Sequence, residues 1–181
     1  MQLNNDGEYH SSGGVSYTDE LPAPGYESGV PRLCDLWASA ESQELVQVSP
    51  RMHAEFAMSY EKRLLEPFGL NGYGCCEDLT RKMADVLTIP YLRRVSVAPT
   101  ADLPRCAEQL VGRCIVSWKP QPAHVVGSLD ETTLREYIRS ACEHTLHNVV
   151  EFILKDTHTC ELRPERFDDW MRIASEVVRQ F

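Results

Sequence analysis

The chain has 181 residues, 43% of them hydrophobic and 25% charged, which is enough for one domain with its own core. Its 27 acidic and 18 basic residues give a net charge of -9. This charge argues against non-specific binding to nucleic acid or to an anionic membrane surface, because both need a basic face. No apolar run reaches the roughly eighteen residues of a membrane span, and the first residues lack the pattern of a secretory signal. We therefore expect a cytoplasmic protein whose seven cysteines are reduced thiols.

The chain divides by composition into two parts. Residues 1–32 are rich in Gly, Ser, Pro and Asn and are predicted to form a loop-rich N-terminal segment. From Leu33 to Phe181, short apolar runs alternate with segments of helical periodicity. The strand-like runs are LCDLWASAES, GLNGYGCC, LRRVSVAP, RCIVSWKP and VVEFILKD. Helix starts are indicated by Ser49 with Pro50, by Thr100 or Asp102 before Pro104, by Asp130 and by Pro164.

The order of these segments predicts an α/β fold. Five strands that alternate with helices favour a parallel sheet connected by right-handed crossovers. A closed TIM-type barrel needs eight such units and about 250 residues. We therefore expect a partial TIM-type (β/α) barrel of about five βα units, and an uncovered parallel edge would be an association surface. The expected partner is a second copy, in a homodimer, or a chain that completes the barrel.

Thiols and imidazoles follow two of the predicted strands. Cys75 and Cys76 end the second strand, and His158 and Cys160 follow the fifth. The carboxyl ends of parallel strands share one edge of a sheet, where ligand sites are built. Three ligands of this kind with one open position are typical of a catalytic zinc site. The alternative is that one cysteine packs behind its strand, while His158 hydrogen-bonds a loop carbonyl.

Two charged residues at other strand ends are further candidates. Glu41 follows the first strand, where it would act as a general base, contact substrate, or remain a solvated carboxylate. Lys119 lies in the proline-rich stretch SWKPQPAH with His124 and is predicted to bind an anionic group of a substrate. The same stretch is also compatible with a plain turn, because prolines are common there.

The segments NGYGCCEDLTRKMADVL, LRRVSVAP, CIVSWKP and VVEFILKDTHTCELRPERF together resemble a known superfamily. From about Leu33 to Phe181 the chain resembles the C-terminal half of the uroporphyrinogen decarboxylase-like superfamily, which includes the cobalamin-dependent methyltransferases. Tyr73-Gly74-Cys75 stands where the methyltransferase branch has His-x-Cys, so the cysteine matches and the tyrosine departs. Cys160 stands where that branch has its last-strand cysteine.

The resemblance implies a zinc-dependent methyltransferase that moves a methyl group between a corrinoid, or a small methylated substrate, and a thiol. Cys75 and Cys160 would hold zinc together with His158 or Cys76, and Glu41 and Lys119 would position substrate. A corrinoid protein or a small-molecule methyl donor would be the partner. Two alternatives stay open. One is a decarboxylase-like enzyme without metal, and the other is a non-catalytic half-barrel that assembles with another chain.

Overall fold

The structure is a computed structural model of the chain. It describes residues 10–11, 14–15, 18–27, 29–127, 129–155 and 157–181. The loop prediction for residues 1–9, 12–13, 16–17 and 28 lies outside the described residues. Two short strands, β1 (His10–Ser11) and β2 (Gly14–Val15), form an antiparallel pair within the segment that was predicted to be loop.

The main element is a five-stranded parallel sheet whose strands lie side by side in chain order. Its strands are β3 (Trp37–Ala40), β4 (Leu70–Tyr73), β5 (Leu92–Val97), β6 (Ile115–Trp118) and β7 (Val150–Phe152). Every neighbouring pair is parallel, which confirms the predicted α/β fold with one parallel sheet. Within the described residues β3 and β7 are the two edges, so this sheet is not closed into a barrel.

A helix or helical segment follows each of the five strands β3–β7, as the sequence predicted. The helical segments are α1 (Pro50–His53), a π-helical segment (Ala54–Met58), α2 (Ser59–Leu65), α3 (Met83–Val86), α4 (Leu103–Leu110), α5 (Glu131–His144) and α6 (Glu165–Val178). Short 3-10 turns occur at Leu33–Asp35, Gln43–Leu45 and Pro122–Val125. No helix in the described ranges combines the length and apolar character needed to cross a bilayer.

The predicted helix starts are explained by side-chain caps. Ser49 accepts a hydrogen bond from the backbone amide of Met52 at the start of α1. Asp102, and not Thr100, is the cap of α4, and Asp130 caps α5 through two backbone amides. These caps satisfy amides that have no partner inside the helix, which is why short polar residues predicted the boundaries well.

The two faces of the sheet differ in chemistry. One face is apolar and packs against the helices through a shared core. On the sheet this core includes Tyr73, Val95, Val97, Val116 and Trp118, and on the helices Met58, Leu65, Met83, Leu110 and Ala141. Because side chains alternate along a strand, the intervening residues point to the opposite face. These include the polar or charged residues Arg94, Ser96, Ser117 and Glu151, together with the apolar ring of Trp37 beside Arg94.

The helical segment of residues 50–65 is confirmed, but the apolar stripe that predicted it lies on the exposed side. Phe56 is 62% exposed and Leu64 is 70% exposed, and Met52 and Tyr60 are also exposed. The buried side is formed by other residues, including Met58. This helical segment follows β3, which is an edge strand of the described sheet.

Candidate functional site

The centre of the site is a pair of adjacent thiols just after β4. Gly74 has a φ of +90°, a left-handed conformation, and an added Cβ would lie 2.7 Å from the side chain of Leu79. Glycine is therefore needed for the turn that leaves the strand. After this turn the Sγ atoms of Cys75 and Cys76 lie 3.5 Å apart. Cys75 is buried, whereas Cys76 is partly exposed.

Both sulfurs contact the same ammonium group. Lys155, which follows β7, places its Nζ atom 2.5 Å from Sγ of Cys75 and 2.8 Å from Sγ of Cys76. Burial alone would lower the pKa of Lys155, but the hydrogen bonds to the two sulfurs outweigh it and raise that pKa above its usual range. Lys155 thus links the residues after β7 to both thiols.

A second lysine holds the backbone of the pair. The Lys119 side chain is almost completely buried, and its Nζ atom donates to the carbonyl oxygen of Cys75 at 2.6 Å and to Oγ of Ser96 at 2.8 Å. Burial, and then repulsion from Lys155, lower the pKa of Lys119. In the structure Lys119 therefore fixes the position of Cys75. The sequence predicts a different role for Lys119, a contact with the substrate.

A buried carboxylate holds the other side of the turn. Glu77 accepts hydrogen bonds from the backbone amide of Cys75 at 2.7 Å and from that of Ser42 at 3.1 Å. Its side chain is 2% exposed. Glu77 thus joins the end of β3 to the turn after β4, and this contact keeps the thiol pair next to the first strand.

Behind the turn lies a buried network of four polar side chains. The Tyr73 hydroxyl donates to Oε2 of Glu61 at 2.8 Å and lies 3.0 Å from Nε2 of His53. Oγ of Ser42 is 2.7 Å from the same nitrogen. Burial lowers the pKa of His53 and raises the pKa values of Glu61 and Tyr73, so it disfavours the charged form of each group.

A cleft of about 760 Å³ opens beside the thiol pair. Its walls include Cys76, Glu77, Asp78, Arg81 and Lys82, and the opposite wall is formed by residues 43 and 46–50. The cleft carries both acidic and basic groups, so it is suited to a small polar ligand. It also gives solvent molecules and small reactants a route to Cys76.

The other predicted site residues follow the edge strands β3 and β7. Glu41 is exposed at the end of β3, and His158 is exposed after β7. Cys160 is partly buried, and its carbonyl oxygen accepts hydrogen bonds from Arg163 and Arg166 at the start of α6. Among the residues that the structure describes, no group of three or more His, Cys, Asp or Glu side chains is placed to hold a metal ion.

The sequence-based choice of residues missed two members of the site. Lys155 could have been found as the first charged residue after the fifth strand, although its partner lies 80 positions away in the sequence. Glu77 could have been found as the carboxylate that follows the two cysteines. Neither residue belongs to a spacing pattern that predicts its contact.

Comparison of the chain with protein-family models, with curated proteins and with solved structures gave no match. The function is therefore argued from the geometry of the site, and the resemblance to the uroporphyrinogen decarboxylase-like superfamily stays a prediction.

Proposed function

We propose that this chain is part of a (β/α) barrel that carries a thiol-dependent transferase site at Cys75 and Cys76. The reaction that we propose is zinc-dependent transfer of a methyl group between a corrinoid, or a small methylated substrate, and a thiol. The observation that carries the proposal is the pair of sulfurs 3.5 Å apart, beside a cleft at the carboxyl ends of parallel strands. Ligand sites of parallel α/β proteins are built at this edge.

The sulfur pair fits one half of a tetrahedral zinc site. Two thiolates bound to one zinc at about 2.3 Å are separated by about 3.8 Å, so the two sulfurs would move apart by only a few tenths of an ångström. The Lys155 ammonium, which lies against both sulfurs, would move away when zinc binds, because like charges repel. A third ligand would be His158 or Cys160, and the segment after β7 would have to bring one of them to the pair.

The surrounding residues have defined roles in this proposal. Bound zinc would lower the pKa of an incoming thiol and present it as a thiolate. Lys119 and Glu77 hold the backbone of Cys75 through its carbonyl and its amide, so they act as positioning residues. Glu41, exposed at the neighbouring strand end, is the candidate for direct contact with the substrate. The thiols require a reducing compartment such as the cytoplasm.

The test is the metal content of the freshly reduced protein after zinc is supplied and excess zinc is removed. We expect about one zinc per chain. Cys75→Ser and Cys76→Ser should each lower this value, and either His158→Ala or Cys160→Ser should lower it as well. Cys34→Ser is the matched control, because Cys34 precedes β3 at the other end of that strand and should leave the zinc content unchanged.

The following results would contradict the proposed zinc-dependent transfer. A reduced protein that takes up no zinc, or that keeps its zinc in both Cys75→Ser and Cys76→Ser, would refute zinc-dependent transfer. Activity towards a tetrapyrrole carboxylate without metal would then favour the decarboxylase-like alternative.

One observation favours a second role, assembly with another chain. The helical segment after β3 and helix α6 after β7 both expose apolar stripes, and these two helical segments follow the two edge strands of the described sheet. On α6 and the residues after it, the stripe consists of Phe167, Met171, Val178 and Phe181. We propose that a second copy or a chain of further βα units covers these stripes and completes the barrel.

A further inference from the structure

The two thiols are close enough to react with each other. Their sulfurs are 3.5 Å apart, and a disulfide bond needs about 2.05 Å, so modest side-chain rotations separate the reduced pair from a bonded one. The Cα atoms of adjacent residues are about 3.8 Å apart, which is shorter than the usual span of a disulfide. A ring between neighbours is therefore strained, and strained disulfides are readily reduced again.

The two thiols also differ in access. Cys76 is partly exposed and lines the cleft, whereas Cys75 is only 5% exposed. A small molecule in the cleft thus reaches Cys76 first. Lys155 contacts both sulfurs, so its side chain links the cysteine that attacks first to the cysteine that attacks second.

We propose that Cys75 and Cys76 form a thiol–disulfide exchange site for low-molecular-weight disulfides. The Cys76 thiolate attacks one sulfur of the small disulfide, forms a mixed disulfide and releases one thiolate. The Cys75 thiolate then attacks the Cys76 sulfur, closes the Cys75–Cys76 disulfide and releases the second thiolate. The small disulfide is reduced to two thiols, and the cysteine pair is oxidised by two electrons.

This activity goes beyond the proposed methyl transfer, because it needs neither metal nor methyl donor. One protein molecule also cannot carry out both activities at the same moment. A sulfur in the disulfide is no longer a thiolate ligand, so the oxidised protein cannot hold zinc at this pair.

The test uses the whole reduced chain, freed of metal with a chelator and exposed to oxidised glutathione. After an acid quench, remaining thiols are alkylated and the chain is cut with trypsin. Cleavage after Arg63 and Arg81 yields a peptide of residues 64–81, whose only cysteines are Cys75 and Cys76. We expect this peptide to lose two hydrogens and to carry neither glutathione nor the alkyl group. The peptides that contain Cys34 and Cys160 should be alkylated.

Two variants test the order of the steps. Cys75→Ser should retain glutathione on Cys76, because no second thiol is present to displace it. Lys155→Met should slow ring closure at least tenfold, since the ammonium group that contacts both sulfurs is lost. Lys62→Met, on helix α2, is the matched lysine control and should leave the rate unchanged.

Three outcomes would overturn the proposal. In the first, the wild-type peptide keeps glutathione and does not form the ring. In the second, a disulfide joins Cys75 or Cys76 to another part of the chain. In the third, both cysteines remain reduced and are alkylated. Zinc content, measured separately on the reduced protein, distinguishes this failure from that of the proposed function. Exchange without zinc uptake refutes only methyl transfer, and zinc uptake without exchange refutes only the exchange site.

Discussion

Tyr73 connects the last residue of β4 to a polar network inside the core. Its hydroxyl donates to Glu61 and lies within hydrogen-bond distance of both His53 and Ser42. The tyrosine points away from the thiols and towards the helices, so its role here is to satisfy buried polar groups.

Tyr73→Phe should lower the free energy of unfolding by about 1–3 kcal/mol, because buried partners lose a hydrogen bond while the ring still fills its place. Urea denaturation followed by circular dichroism measures this change. Tyr60→Phe is the control, since Tyr60 is 56% exposed and should change stability little. Equal stability of the two variants would show that the network contributes nothing.

Asp35 fixes the segment before β3 by accepting several hydrogen bonds. Its carboxylate accepts from the guanidinium and the backbone amide of Arg32 and from the amide of Ala23, and its side chain is fully covered. The hydrogen bonds from Arg32 lower the pKa of Asp35 to about 2.

This lowered pKa predicts a dependence of stability on pH. The unfolded pKa of Asp is about 3.9, so the stabilisation is complete above that value and is lost as the pH falls through about 2. Urea unfolding at pH 5, 4, 3 and 2 should show the wild type losing its advantage over Asp35→Asn. A stability gap that stays constant over this range would contradict the assignment.

At the scale of elements, helix α4 depends on one cap. The Asp102 side chain accepts a hydrogen bond from the amide of Arg105, and the helix has only eight residues. Such a short helix gains little from propensity alone, so its cap and its buried face determine whether it forms.

Asp102→Ala should lower the free energy of unfolding by about 1 kcal/mol, the usual cost of losing an aspartate N-cap. Thermal and urea unfolding give the value directly. Glu108→Ala, at an exposed position of the same helix, is the control and should be neutral or slightly stabilising. A loss in Glu108→Ala as large as that in Asp102→Ala would show that the cap is not the cause.

The order and type of the main elements were predictable because their signals are local. Ser49, Asp102 and Asp130 mark helix starts within one turn of the chain, and the apolar runs mark buried strands. Which side of a helix is covered is not a local property. The stripe that includes Phe56 and Leu64 has the pattern of a buried face, yet β3 is an edge strand and leaves that stripe exposed.

In the candidate site, too, some features are encoded locally and others depend on contacts between distant parts of the chain. Cys75 and Cys76 were found from the sequence because they are adjacent and follow a strand. Their contact with Lys155 joins the end of β4 to the end of β7 across two intervening strands, and no short pattern encodes it. The buried position of Lys119 depends on the same packing.

At the scale of the whole molecule, the sheet of the described residues has two open edges, β3 and β7. Leu64 is 70% exposed on the helical segment that follows β3, and Met171 is 57% exposed on α6, which follows β7. Exposed apolar patches that continue into an open sheet edge are typical of association surfaces.

We therefore expect the protein to associate as its concentration rises. Sedimentation velocity should show this association in the wild type and a clear reduction in Leu64→Glu and in Met171→Glu, while far-UV circular dichroism stays the same. Leu146→Glu, at an exposed apolar position outside both stripes, is the control. A wild type that stays monomeric at high concentration would mean that the stripes bind a different chain or none.

We propose that the Cys75 and Cys76 sulfurs form a zinc-binding thiol site. X-ray absorption at the zinc edge, on reduced protein loaded with one equivalent of zinc, tests this proposal. We expect at least two sulfur neighbours at about 2.3 Å, and one fewer sulfur in Cys76→Ser. A zinc surrounded only by nitrogen and oxygen, or a sulfur count unchanged in Cys76→Ser, would contradict it.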